Sequence, residues 1–336
     1  MTISSTVRAG LTGPVKPLSS HPLHAESNGL EDLDLSLGPR SAPAAPTAVL
    51  AHRGASGLFP EHTRAAYLRA LDEGADGLEI DLHLTRDGEP VCFHDPTLER
   101  TTDGTGSVAE TTLAQMRRLD ATGWKTPKLP AEYGRAEQQL MTLQDVLELL
   151  QSAGRDLKLA IELKHPSPFG HRLEDRVLQV LTSFGWDPET SLVPAGAHQV
   201  AVSFMSFYPG SLNHLAEVVP GEHLCALFTT VTDTDVAQRL AKLRFSSAVK
   251  HVVAAVMRSS VRDSEALVWN SAVGLAGPGV EYVQANLADA KAWIARGTRL
   301  RVWTVDSPHQ AQMLLNLGVQ EITTNYPARI LRQISR

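Results

Sequence analysis

From residue 47 onward, short apolar runs alternate with longer stretches whose apolar positions recur at helical spacing. Such alternation predicts an α/β chain of parallel strands covered by helices. Strands are expected at 48–53 (AVLAHR), 77–82 (GLEIDL), 157–164 (LKLAIELK), 200–206 (VAVSFMS), 224–229 (LCALFT), 281–286 (EYVQAN), 300–305 (LRVWTV) and 321–325 (EITTN). Helices are expected between most of them. One opens after Pro60, one runs from the capping residue Thr142 to Gly154, and one starts at Ser307. Eight strands with mostly one helix between each pair, in about 290 residues, close most economically as a (β/α)8 TIM-type barrel. A doubly wound open sheet is the alternative, but HRGASGLFPEHT lacks the dinucleotide glycine spacing.

The run PVCFH (90–94) follows the second strand with no room for a crossover helix, so it cannot be the next parallel strand. The intervening RDGE predicts a β-hairpin excursion on an Asp-Gly turn. With Asp87 and Gly88 as the two loop residues, Leu84 faces Val91 and Asp81 faces His94; a longer loop would shift this register. Pro90 marks an edge.

Residues 1–46 lack periodicity and are rich in Ser, Pro, Gly and Ala, as in a disordered leader. The remainder, 47–336, is expected to be one barrel domain with a small insertion at 99–140 over its mouth. Composition narrows the function. The 31 basic and 37 acidic residues give a formal charge of −6, a field that would not hold nucleic acid non-specifically. No apolar run of about 18 residues offers a spanning helix, so no stable membrane insertion is expected. The N-terminus has no secretory apolar core, so a cytoplasmic location is expected. Cys92 and Cys225 are spaced like neither a zinc site nor a disulfide framework and are expected to be small buried thiols.

Glu79 and Asp81, two apart on an apolar strand, point to one face about 7 Å apart along it. Two buried anions repel unless a cation or proton lies between them. The run IELK adds Glu162 and Lys164 with the same parity. Three carboxylates at neighbouring strand ends suit one hard divalent cation, Mg²⁺, Ca²⁺ or Mn²⁺; a salt-bridged barrel rim is the plainer alternative. His52 ends the first strand, where barrel active sites are built. His52 and His94 converging on one mouth suit a general base and general acid. Arg53 and Lys164 suit an anion such as phosphate, unless Arg53 points outward. Trp303 either walls a small pocket or belongs to the core. Together these groups point to hydrolysis of a phosphate ester, without distinguishing monoester from diester.

The stretch AHRGASGLFPEHTRAAYLRALDEGADGLEIDLHLTRDGEPVCFHDPTLERTTDGTG resembles the opening of the glycerophosphodiester phosphodiesterase family, which carries H-R-G, P-E-N-T, E-x-D and H-D-x-x-L-x-R-T-T. MTLQDVLELL, IELK, VWTVD and ITTNYP resemble its later blocks in the same order, so the likeness covers about 47–330. The resemblance implies a barrel and hydrolysis of glycerophosphodiesters to glycerol 3-phosphate and an alcohol. It makes His52 and His94 the acid–base pair, Glu79, Asp81 and Glu162 the metal ligands, and Arg53 and Lys164 the phosphate contacts. It also implies attack by the glycerol hydroxyl, giving a cyclic phosphate that water opens, and it matches Glu61 to a supporting carboxylate. His62 stands where the family has Asn, and 230–280 is longer and less recognisable than the family's usual link. A related diesterase acting on lysophospholipids would need an apolar groove, for which VVAAVM (252–257) is a candidate. A non-catalytic phosphodiester-binding barrel would be signalled by loss of a histidine or a ligand, and all five positions are filled. A sugar-phosphate isomerase would need a glycine pair after strands 7 and 8, which VDSP and TNYP do not supply.

Overall fold

The computed structural model describes residues 46–125, 129–230 and 247–334, with most side chains of 247–257 outside that description. The leader expected at 1–46, Pro46 apart, and the side chains of VVAAVM, one apart, therefore lie outside the described residues.

Eight strands form a closed parallel ring: β1 (Ala48–His52), β2 (Gly77–Leu84), β4 (Leu157–Leu163), β6 (His198–Ser206), β7 (Leu224–Phe228), β8 (Leu275–Pro278), β9 (Arg299–Val302) and β10 (Glu321–Thr324), with β5 (Leu192–Ala195) antiparallel to β6 outside the ring. Closure is made by β1 pairing with both β10 and β2. This is the TIM-type barrel that the alternating runs predict. Helices α1 (Arg64–Asp72), α3 (Leu143–Gln151), α4 (Arg172–Ser183), α5 (Pro209–Leu215), α6 (Ser247–Trp269), α7 (Val280–Ala285), α8 (Leu287–Ala295), α9 (Pro308–Leu317) and α10 (Pro327–Ile334) lie between the strands or follow the last of them, and a short α2 (Leu113–Met116) lies in the segment that precedes α3. No helix among the described residues is long and apolar enough to cross a membrane.

Strand parity divides the chemistry. On β2, Leu78, Ile80 and Leu82 join the large apolar layer shared with Tyr67, Val146 and Leu147 of the covering helices. The alternate positions turn inside the ring, where Leu50, Ala160, Met205, Cys225, Leu227 and Leu275 form a small core. That interior also holds Arg301, only 2 % exposed, whose guanidinium pairs with Glu321 Oε2 at 2.5 Å and donates to Ser203 Oγ at 2.8 Å. A buried guanidinium is tolerated only when so partnered.

Two local readings are corrected. The expected strand 281–286 is helix α7; the barrel strand there is Leu275–Pro278. Val280, Tyr282 and Val283 are all buried, a helical-turn spacing rather than a strand alternation. The true strand is masked by its small residues. A Cβ at Gly277 would come within 2.6 Å of Leu227 Cδ2 and 2.9 Å of Cys225 Sγ, so no β-branched side chain fits.

The hairpin exists, with β3 (Pro90–Cys92) antiparallel to β2, but its register is shifted by one. Leu84 faces Pro90 and His83 faces Val91. The loop has three residues, Arg86 to Gly88: Thr85 N–H donates to Glu89 O at 3.1 Å and Gly88 N–H to Thr85 O at 2.9 Å. Gly88 takes φ +85°, the left-handed position that three-residue hairpins require. Phe93, not His94, is therefore tied to Asp81, its N–H donating to Asp81 O at 2.9 Å. The segment that follows packs its own small core of Val91, Phe93, Leu98, Val108 and Met116. It touches the barrel mouth through Arg100 on Glu61 and Lys125 on Ser56 O. Its loop TTDGTGSV is tied to itself, with Leu98 N–H donating to Gly106 O at 3.0 Å.

Candidate active site

Register builds the site. His52 at the end of β1 is the Cα partner of Glu79 on β2, and Asp81 is the partner of Glu162 on β4. Directly paired residues of neighbouring strands share a face, so the three carboxylates and His52 gather at one end of the ring. Ligand oxygens of Glu79, Asp81 and Glu162 lie within 4.8 Å of one another, and all three residues are buried.

The carboxylates respond in opposite ways. Burial, reinforced by Asp81, pushes Glu79 well above the ordinary carboxylate range. Burial likewise lifts Glu162, to about 7, against the pull of Lys164. Burial would also raise Asp81, but Lys164 and Arg53 outweigh it and hold that carboxyl well below its ordinary value. Lys164 Nζ lies 2.5 Å from Glu162 Oε1 and 2.9 Å from Asp81 Oδ1. Asp81 Oδ1 nevertheless has no donor in hydrogen-bond geometry among the described residues. A fully buried carboxylate oxygen with no aligned donor, beside two carboxyls raised by burial and by neighbouring charge, fits a hard divalent cation.

Arg53 sits in the left-handed region at φ +59°, and Gly54 follows at +82°. A Cβ at Gly54 would lie 2.6–2.8 Å from the backbone and Cβ of Ala66, so only glycine continues this turn. The strained step costs on the order of 1 kcal/mol. It is held by Arg53 N–H on Glu79, to both Oε2 and the backbone O at 3.0 Å. The Arg53 side chain spans Glu61 Oε1 (3.0 Å) and Asp81 Oδ2 (2.9 Å). Glu61 is shared with Arg100, at 2.7 and 2.9 Å. Burial opposes its ionisation, but Arg100 and Arg53 win and bring it to about 2.

His62, also at φ +59°, is buried against Asp81. Its Nε2 lies 2.8 Å from Asp81 Oδ2 and its Nδ1 2.8 Å from Tyr67 Oη. An ionised carboxylate only accepts, so Nε2 carries the proton and Nδ1 accepts from the tyrosine.

His52 Nδ1 lies 2.7 Å from Asn325 Oδ1. Burial, then Arg53, lowers this imidazole to about 3, so it is neutral. His94 lies just past β3, about one-third exposed, with Nδ1 2.6 Å from Asp95 Oδ1. A cavity of about 180 Å³ brings together His52, Arg53, Glu79, His94, Glu162, Lys164 and Trp303. Asp81 stands behind it, and Glu61 is one shell away, on Arg53 and Arg100. Trp303 is both wall and fixture: its Nε1 donates to Gly277 O at 2.8 Å, and Phe207 meets its ring edge-on at 5.4 Å. A wider cleft of about 510 Å³ between α1 and α3 gathers no comparable chemistry. Phe207, Asn325, Arg100 and Tyr67 were not singled out from sequence. Asn325 lies inside ITTNYP and Arg100 inside the H-D-x-x-L-x-R block, so spacing carried a signal for those two alone.

The model of the glycerophosphoryl diester phosphodiesterase family matches residues 52–329. A Mycobacterium tuberculosis protein named "Probable glycerophosphodiester phosphodiesterase 1" is 35% identical over 282 residues, covering 84% of this chain and 90% of that one. The Bacillus subtilis glycerophosphodiester phosphodiesterase is 27% identical over 278 residues, 83% of each chain. An Oleispira antarctica phosphodiesterase, solved in complex with the product sn-glycerol-3-phosphate, superposes with a TM-score of 0.62 at 25% identity, over 87% of this chain and 98% of that one.

Proposed function

The chain belongs to the glycerophosphoryl diester phosphodiesterase family, and on that premise we propose that it hydrolyses glycerophosphodiesters to glycerol 3-phosphate and an alcohol. One divalent cation is held by Glu79, Asp81 and Glu162, and His52 and His94 are the acid–base pair. The observation that carries the reading is that both histidines line one cavity with Glu79, Glu162, Arg53 and Lys164.

When bound, the ion supplies charge neutralisation at the phosphoryl oxygens. The chain's own groups do the rest. Arg53 and Lys164 attract the phosphodiester anion. Neutral His52 takes the proton of the attacking glycerol hydroxyl as the oxygen–phosphorus bond forms. His94 delivers a proton to the departing alkoxide, and Asp95, against its Nδ1, orients the ring and offsets the imidazolium charge. The resulting cyclic phosphate is opened when the roles reverse and water adds, so each turnover consumes one water. Trp303 and Phe207 limit the room left for the glycerol and the alcohol.

The test is product identification. Phosphorus NMR of a glycerophosphocholine digest should show glycerol 3-phosphate accumulating with one of Mg²⁺, Mn²⁺ or Ca²⁺ and not with EDTA. Phosphocholine as the phosphorus product would contradict the assignment of which bond breaks.

A further inference from the structure

We propose that Asp306 and Asn325 are positioning residues that set the tautomer of His52, so that its Nε2 presents a lone pair to the cavity. The inference rests on His52 being the general base.

Its direction is fixed from the carboxylate outward. Asp306, just past β9, has only acceptors to offer when ionised. Its Oδ1 accepts from Asn325 N–H at 2.8 Å and from Thr324 Oγ1 at 3.0 Å. Its Oδ2 lies 2.7 Å from Asn325 Nδ2. These three bonds leave the Asn325 amide one orientation, because its other end would set oxygen against carboxylate oxygen. The amide oxygen must then face the opposite way, and it lies 2.7 Å from His52 Nδ1. An acceptor at that distance requires Nδ1 to carry the proton. The neutral ring then has its free lone pair on Nε2.

A second contact is compatible with the same arrangement. Ser56 Oγ lies 2.7 Å from both His52 O and Asn325 Oδ1, and its single proton can serve either. Asp306 follows the C-terminal end of β9 and Asn325 that of β10, and β10 pairs both with β9 and with the strand that ends in His52, so the relay is anchored on the rigid ring. It uses a neutral amide where serine hydrolases place a carboxylate against the histidine. A carboxylate there would stabilise the imidazolium; the amide fixes the tautomer without adding charge beside three buried acids.

Asp306→Asn is the discriminating variant. It keeps the shape but supplies donors as well as acceptors, so the Asn325 amide can turn over and hold His52 in the other tautomer. Nitrogen NMR of labelled protein, with the His52 signal assigned by its absence in His52→Ala, should show Nδ1–H in the wild type. In Asp306→Asn that signal should shift towards Nε2–H, and kcat should fall at least tenfold with KM within twofold. General-base contributions of this kind are typically 10²–10⁴-fold. A wild-type His52 protonated on Nε2 overturns the inference by itself, even if Asp306→Asn does not fold. An Asp306→Asn enzyme with unchanged tautomer and kcat overturns it equally. Full activity in His52→Ala would instead sink the catalytic reading of His52, an outcome separate from the tautomer result.

Discussion

Lys164 places its ammonium 2.9 Å from Asp81 Oδ1 while touching Glu162 Oε1 at 2.5 Å. A side chain proposed for phosphate thus bridges two of the three groups proposed for the metal. The ammonium neutralises carboxylates that would otherwise repel, and a divalent ion at those oxygens would compete with it for them.

Lys164→Met should therefore lower stability in EDTA, read as a lower thermal midpoint, by the few kcal/mol that follow when one partner of a buried ion pair is removed. A divalent cation at saturating concentration should stabilise both proteins and so raise both midpoints, by about 2.7 kcal/mol of free energy at a hundredfold excess over Kd. The gain should be larger in the variant. Scanning calorimetry across Mg²⁺, Mn²⁺ and Ca²⁺ reads this, and a midpoint indifferent to all three ions would argue against the three-carboxylate site.

His62 holds Asp81 from behind, between it and Tyr67. Burial pushes the Tyr67 hydroxyl well above its ordinary value and the His62 imidazole below its own, so the chain of donors stays intact near neutral pH. His62→Ala should cost about 1–3 kcal/mol in urea unfolding, the desolvation penalty of an orphaned buried partner. His62→Asn, which keeps a donor, should cost less. Equal losses in the two variants would mean that volume, not the hydrogen bond, matters at this position.

Burial alone would raise the Glu321 carboxyl, but Arg301, then Lys158, hold it down to about 2. Its folded value lies below its unfolded one. The stability it contributes, on the order of 3 kcal/mol, is therefore present above about pH 4.5 and is lost as pH falls towards 2. Replacing the pair by Arg301→Met with Glu321→Leu should leave stability at pH 7 near the parent's and flatten the acid limb of the unfolding curve. An acid limb of unchanged steepness would contradict the pairing.

Cys92 and Cys225 are both buried, and burial pushes the Cys225 thiol up to about 12 and Cys92 higher still. Ellman's reagent should leave the native protein unlabelled for hours and titrate two thiols after denaturation. Rapid labelling of the native protein would show one of them to be accessible.

Sequence pattern was most legible where parity and chemistry coincide. In GLEIDL the apolar residues face the helices and the acids face the ring, so one alternation reports both fold and candidate ligands. The last strand was legible for the same reason. The strand LAGP was not, because close approach to Cys225 and Leu227 selects small residues that carry no strand signal. The hairpin was legible and its register was not: Asp-Gly signals a turn, while the loop length was settled by the Thr85–Glu89 bond. Arg301 inside the barrel becomes visible only once its parity with Trp303 is tied to the interior. Asn325 and Asp306 lie inside the blocks ITTNYP and VWTVD but are short polar residues past strand ends, where loops ordinarily carry such residues; their role shows only in the contact of Asn325 with His52 and of Asp306 with Asn325.

The central claim is that two histidines and a metal-binding carboxylate cluster act on one phosphodiester. It is tested most directly by following glycerol 3-phosphate release from glycerophosphocholine and glycerophosphoethanolamine in wild type, His52→Ala and His94→Ala, first in EDTA and then with each divalent cation restored. The account predicts release that depends on an added cation and falls at least a hundredfold in both variants. Release that survives loss of either histidine, or that proceeds undiminished in EDTA, would contradict it.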